Sequence, residues 1–438
     1  MKKVLFIAYL YPPIFNSGTR RSLEFANHLP DSGWAPIVLT VENPAPKHCD
    51  PTLLDEVRPG TRIERVPFWS EWAANKLAAA FALLFDRKRM AERLEWRLKR
   101  LWQVPDECAL WWPLAVRRAE EIYRKEGFDV IYATGWPWTS FLIAAAVSRR
   151  TGRPYVLDYR DFWKPAGVEW DRPTWVQRWL NPWLEKNVIR KAAAVVSVTH
   201  SFVRELSNST GRTSNMICIT NGFDPDDFPQ VPPPDTNTQE LVRVVYTGVW
   251  RPGYGPDDLY LAVKHLKDKA PQGLERLRVT VAGFPPGRAK EYGLEQFVEE
   301  LGPVPHAQAI NLMAQASVLY LPVSKGLYEQ TSLPGKLFEY LGSGRPILAS
   351  ALPDSEVAVT LDGVGGARCV APGDIQALAS VLETLCGGQD SGLFSPRLPD
   401  EVARYTRSSL TRKLASVLDS AVHRRDLEAT PSISDGAR

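Results

Sequence analysis

The chain has 438 residues, 44% of them hydrophobic and 24% charged, with 53 Lys and Arg against 50 Asp and Glu. That length predicts two or three domains and a core large enough to need no disulfide or metal staple. The near-balanced charge gives no general attraction to nucleic acid, and the composition excludes disordered and collagen-like classes. Five scattered cysteines, Cys49, Cys108, Cys218, Cys369 and Cys386, show no metal-ligand spacing and read as reduced thiols.

The chain opens with Lys2-Lys3 and an apolar run to Tyr11. Pro12-Pro13 follows directly with no small-residue cleavage site, so a first strand is expected rather than a signal peptide. Further short, β-branched runs recur at 36–41, 130–133, 155–158, 194–199 and 216–220, each followed by helical periodicity. A second series occupies 242–247, 277–282, 317–322, 346–350 and 367–370. Such runs between helical stretches are the pattern of buried parallel strands in βαβ units. Between the two series, residues 224–240 are polar and proline-rich, as linkers are. The expected organisation is α/β with two Rossmann-like doubly wound domains facing a cleft. They are an N-terminal domain at 1–225 and, after a linker at 226–240, a C-terminal domain at 241–400. A helical segment at 401–427 and a disordered tail at 428–438 complete the chain.

Two features break the rhythm. Fourteen of the fifteen tryptophans precede residue 190. Residues 68–125 read as a helical insertion rich in Trp and Arg, with seven Lys or Arg against two Glu between Arg87 and Arg100. An apolar stretch beside cations and tryptophans at 72–102 suits either a helix lying in a lipid headgroup layer or an insertion packed on itself. No apolar run approaches the ~20 residues of a membrane-spanning helix.

Three segments carry candidate chemistry. The turn after the first strand, Pro12 to Arg21 with Gly18, lies where open α/β sheets bind ligands, beyond the carboxyl ends of strands. It is either an anion-binding turn or an ordinary βα connection. The segment Thr331 to Leu348 reads as loop, helix, turn and strand, with Ser332 as helix cap and Pro334 in the first turn. Amides of Leu333, Gly335 and Lys336 would face a phosphate. Lys336 conflicts with the positive end of the helix dipole, and an anion would remove that conflict. Glu339, one turn on, is placed to accept hydrogen bonds from ribose hydroxyls. The third segment, Leu157 to Trp163, ends a strand with Arg160 and Asp161. Asp161 either orients or deprotonates a hydroxyl, or forms a structural pair with Arg160. Trp136 and Trp138 lie at the same edge, suited to stacking on a sugar or to core packing.

Taken together, the proline-rich turn with Gly18, Asn221-Gly222-Phe223-Asp224, Tyr246-Thr247-Gly248, and Lys336-Leu337-Phe338-Glu339-Tyr340 with Gly344-Arg345-Pro346 resemble GT-B fold glycosyltransferases. The resemblance is to the retaining family 4 enzymes of bacterial polysaccharide biosynthesis, and it covers nearly the whole chain. It implies a nucleotide diphosphate sugar held mainly by the C-terminal domain through Gly248, Arg251, Ser332, Gly335, Lys336 and Glu339. Gly18 lets the N-terminal backbone approach that donor. It also implies a glycan or lipid-linked acceptor on the N-terminal domain near Arg160, Asp161, Trp136 and Trp138, no metal or other cofactor in catalysis, and a cytoplasmic enzyme, peripheral on the inner membrane face if 72–102 meets lipid. Family members carry two glutamates eight residues apart. Glu339 matches the second, Thr331 stands at the first position, and Glu329 is the nearby substitute for a catalytic role. Relatives also place an Arg and a Lys after the strand ending at Gly248, where this chain offers Arg251, with Lys336 as replacement cation. A nucleotide-sugar 2-epimerase on the same fold, or a non-catalytic sugar- or lipid-binding relative, are the alternatives.

Overall fold

The computed structural model describes residues 1–42, 49–67, 103–163, 174–228, 241–248, 255–269, 271–323, 330–388 and 392–429. Arg251, Glu329, the basic stretch 72–102, most of the linker and most of the tail lie outside these residues.

Two compact units form, Met1–Ile219 with Thr411–Arg438, and Thr220–Leu410. The first holds a seven-stranded sheet of β1 (Lys2–Ile7), β2 (Trp34–Val41), β3 (Arg62–Val66), β4 (Val130–Gly135), β5 (Tyr155–Tyr159), β6 (Ala194–Ser197) and β7 (Met216–Cys218). Every described pairing is parallel, and the strand order is β3-β2-β1-β4-β5-β6-β7. The second holds β8 (Val242–Thr247), β9 (Leu277–Ala282), β10 (Val298–Gly302), β11 (Val318–Pro322), β12 (Ile347–Ser350) and β13 (Ala367–Val370). Their order is β10-β9-β8-β11-β12-β13, again all parallel. Both are Rossmann-like sheets of a GT-B-like architecture. In each, the order reverses between the first and fourth strands: β1 and β4 in one, β8 and β11 in the other. Such a reversal splays the flanking connections apart and leaves a crevice at the carboxyl ends of those two strands.

The interior strands are largely apolar because helices cover both faces. Val4 to Ile7 and Ile131 to Ala133 are at 0% exposure, as are Leu319 to Leu321 and Ile347 to Ala349. Helix Gly335–Gly342 is fixed by Leu337, Phe338, Tyr340 and Leu341, all buried in the second unit's core. Each such side chain contributes about 1.5–3 kcal/mol on burial. In the first unit, buried Asp106 accepts hydrogen bonds from the Thr139 amide (2.9 Å) and hydroxyl (2.7 Å). That anchors the start of helix Thr139–Thr151 just beyond β4.

The structure adds two strands that the sequence pattern does not reveal, β3 and β10. Both are sheet edges, where one side faces solvent and an apolar run is not required. Packing divides the chain at Ile219/Thr220, ahead of the 226–240 linker. Phe223 exchanges backbone hydrogen bonds with Tyr405 (3.1 Å) and Arg407 (2.9 Å), which ties 220–228 to the second unit. The C-terminal helix is Arg407–Ala429, and from Thr411 it packs on the first unit with Leu414 and Leu418 buried and Lys2 paired to Asp419 at 2.7 Å. Of the expected helical insertion, the described part is helix Trp111–Glu126. Among the described residues the five cysteines form no disulfide. No helix of the described residues is long and apolar enough to cross a membrane.

Candidate active site

The carboxyl ends of β8, β9 and β10 converge through glycine backbone. The Gly248 amide donates to the Ala282 carbonyl (2.9 Å), and the Gly283 amide donates to the Gly302 carbonyl (2.8 Å). Gly283 has φ +117°, and a Cβ there would sit 2.4 Å from the Gly248 carbonyl oxygen. No side chain fits that approach. Gly248 has φ +148°, and its Cβ would meet the Lys336 ammonium at 2.4 Å. These glycines therefore clear the floor on which the Lys336 side chain lies.

Lys336 reaches this floor from the first turn of helix Gly335–Gly342, which follows β11 across the sheet reversal. Its Nζ donates to the Tyr246 hydroxyl (3.0 Å) and sits 4.2 Å from the Tyr246 ring centroid. Tyr246 is the penultimate residue of β8 and is fully buried. The Tyr340 hydroxyl accepts from the Thr247 amide (3.1 Å), locking the helix to the same strand end. Burial pushes the Lys336 ammonium down to about 7, against the pull of Glu339. Desolvation of a cation is costly, so its surroundings favour arrival of an anion. Glu339 lies one helical turn on, with Oε1 3.3 Å from Nε2 of His306, the first residue of helix His306–Ala314. A diphosphate beside Lys336 with a polyol beside Glu339 fits this constellation.

Ser332 does not cap the helix. The helix begins at Gly335, its N-cap is Pro334, and no side chain caps it. Pro334 adopts the extended conformation that precedes a helix and displaces the start from the serine. Ser332 is half-buried in the preceding loop, and Gly335 is exposed with open space around its Cα. The first amides of a helix have no intrahelical acceptor, so the Gly335 end is open to an anion. In the sequence Tyr246 stands only within the motif Tyr246-Thr247-Gly248, with no role of its own, and His306 is not singled out. Tyr246 stands ninety residues from Lys336 and His306 thirty-three from Glu339, with no spacing rule to link either pair.

In the first unit, Gly18 and Arg160 meet. A Cβ on Gly18 would lie 1.4 Å from Arg160 Nη1 and 2.8 Å from Leu10 Cδ1. Arg160 Nε donates to the Gly135 carbonyl (2.6 Å) and Nη2 to the Trp136 carbonyl (3.0 Å), so its guanidinium ties the end of β5 to the end of β4. The Asn16 side chain accepts from the Gly18 amide (3.0 Å) and starts helix Ser17–His28. Beneath lies a buried bidentate pair: Arg21 Nε to Asp158 Oδ2 at 2.9 Å, and Nη2 to Oδ1 at 2.8 Å. Arg21 Nη2 also donates to the Ile219 carbonyl (2.8 Å). Burial acts against both charges, but each holds the other ionised: the Arg21 affinity for its proton is raised and that of Asp158 lowered. Sequence reasoning paired Asp161 with Arg160 as one option and overlooked the pair Arg21–Asp158, whose partners stand 137 residues apart.

Asp161 is exposed just past β5. Trp136 is half-buried, edge-on to Tyr9 at 6.1 Å. Trp138 is 6% exposed and stacked on Trp163 at 5.4 Å and 8°, which leaves its faces committed to the core.

Residues 18–222 match the glycosyl transferase 4-like domain family, and residues 242–387 match the glycosyl transferases group 1 family. The chain belongs to the GT-B glycosyltransferases. The D-inositol 3-phosphate glycosyltransferase of Streptomyces coelicolor is 32% identical over 181 residues, a match spanning 39% of this chain and 37% of the relative. Among solved structures, Anabaena HepE in complex with UDP and glucose is 17% identical, with 98% of this chain and 100% of that chain covered and a TM-score of 0.55. Sucrose-phosphate synthase of Thermosynechococcus elongatus is 15% identical, with 98% of each covered and a TM-score of 0.58. At these identities the structures show the fold alone.

Proposed function

We propose that the protein transfers a sugar from a UDP-linked donor to an acceptor hydroxyl, with retention at the anomeric carbon, in polysaccharide or glycolipid assembly. The observation that carries this reading is the placement of Lys336 and Glu339 on successive turns of one helix, with Lys336 lying over glycines at the sheet reversal of the second unit. The HepE structure contains UDP and glucose on the same fold, which supports a uridine diphosphate sugar as donor.

The residues act by position and charge. Lys336 takes up the negative charge that develops on the leaving diphosphate, where a half-buried cation acts more strongly than one in water. Helix amides at Gly335 add to that stabilisation, as does Arg251, which follows β8 in the sequence. Glu339 accepts from the ribose hydroxyls, and its contact with His306 holds the carboxylate in place. Asp161 handles the acceptor hydroxyl beside Arg160 and Trp136, and Glu329 takes the place of the family's first glutamate. Transfer needs no metal in this scheme.

The test is a thermal-shift panel of nucleotides and nucleotide sugars, followed by assay of nucleotide release with candidate lipid-linked and glycan acceptors. A specific ligand raises the melting temperature by mass action. The expected result is stabilisation by UDP or a UDP-sugar and acceptor-dependent release of UDP. Release of UDP at an equal rate without acceptor, or no stabilisation by any nucleotide, rejects the reading.

A further inference from the structure

Helix Trp175–Lys191 is built unlike the others of the first unit. Its three tryptophans, Trp175, Trp179 and Trp183, are 72%, 76% and 62% exposed. They recur every four residues, so at 3.6 residues per turn they form a single stripe within a sector of about 80°. Lys186 and Arg190 continue that stripe and are exposed, while Arg178 and Lys191, also exposed, lie about 60° and 80° outside its edges. The only acid in the helix, Glu185, is buried at 5% exposure together with Val188 and Ile189. The outward face is thus aromatic and cationic with no carboxylate.

The orientation is fixed from the other side. Thr174 and Gln177 form a reciprocal capping box. Gln177 Nε2 donates to the Gln103 carbonyl (2.6 Å), and Asn181 Nδ2 donates to the Pro105 carbonyl (3.1 Å). These contacts hold the tryptophans outward.

We propose that this face docks on an anionic lipid bilayer, with the helix lying in the plane of the interface. The indole rings would sit at headgroup depth, where an apolar body with one N–H donor is most favoured. Lys186 and Arg190 would meet anionic headgroups. Charge complementarity singles out this occupant. A second copy of the chain seated on the same stripe would press like charges together, and a neutral glycan would leave the stripe's cations Lys186 and Arg190 without a counter-charge. The inference stands apart from the transferase reading and from residues 72–102.

The test is co-sedimentation of the full chain with vesicles of mixed phosphatidylcholine and phosphatidylglycerol, and with phosphatidylcholine alone. The native protein should bind the mixed vesicles at least ~10-fold more tightly than the neutral ones, and added salt should weaken that binding. The triple change Trp175→Ser, Trp179→Ser and Trp183→Ser should weaken it by ~10-fold or more, and Lys186→Glu with Arg190→Glu should do the same. Trp112→Ser, at a 39% exposed tryptophan of helix Trp111–Glu126, should leave binding unchanged. These substitutions fall on exposed positions, so melting temperatures should match the native protein. No preference for anionic vesicles, or full binding by the triple variant, overturns the proposal. So does a concentration-dependent dimer that the triple variant loses.

Discussion

The two units use the same sheet reversal, yet handle charge there in opposite ways. In the first, the charges are settled within the protein: Arg21 and Asp158 neutralise each other out of water, and Arg160 is held by the carbonyls of Gly135 and Trp136. In the second, Lys336 lies on a tyrosine ring and hydroxyl, and Glu339 only partly offsets its burial. One end is a finished structural joint. The other holds a cation at a cost that a bound anion would remove. Equivalent positions in a repeated fold therefore need not carry equivalent roles, and the charge balance separates them.

Removing Asp158 should break the comparison on the structural side. Asp158→Ala leaves Arg21 as an unpaired buried cation and should cost about 3–5 kcal/mol of folding stability. Thermal or urea unfolding measures it, while UDP affinity of the remaining folded protein should hold. Lys336→Met should do the reverse. It removes a charge-assisted contact to phosphate, worth about 1.5–3 kcal/mol, and should raise the UDP dissociation constant ~10- to 100-fold with no loss of stability. A smaller effect is expected from Glu339→Ala, ~10-fold in UDP affinity, with a lesser change for inorganic pyrophosphate, which has no ribose. Competition binding with the two ligands separates those contributions. The smallest effect belongs to Gly18→Ala. Its methyl would displace the Arg160 guanidinium, loosening two hydrogen bonds at about 1 kcal/mol in an unfolding experiment.

Much of this was legible in the sequence, and the gaps have physical causes. The eleven apolar runs all became strands; nine of them are interior, where a strand covered on both faces must be largely apolar, and two, β7 and β13, are edges that keep an apolar run. Arg62–Val66 and Val298–Gly302 escaped because an edge strand carries no such requirement. Lys336 and Glu339 could be read together since helix geometry puts residues three apart on one face. Gly18 was flagged as a point of close approach, and the structure shows the approaching group to be Arg160, which no local spacing could reveal. The helix cap assigned to Ser332 failed because Pro334 sets the start of the helix at the next residue. The uneven distribution of tryptophan marked the first half of the chain as unusual. Which rings face outward depended on how helix Trp175–Lys191 is pinned by Gln103 and Pro105.

The most direct test of a desolvated cation at Lys336 is proton uptake on UDP binding, measured by calorimetry at pH 8 in two buffers of different ionisation enthalpy. With the Lys336 ammonium pushed down to about 7 before UDP arrives and its affinity for protons raised by a bound diphosphate, binding should draw in most of one proton. Affinity should then fall by up to ~10-fold per pH unit above 7. At pH 8 the terminal phosphate of UDP is almost fully ionised, and Lys336→Met should abolish the uptake. Binding that releases or takes up no proton at pH 8, with affinity flat from pH 7 to 9, would contradict the account.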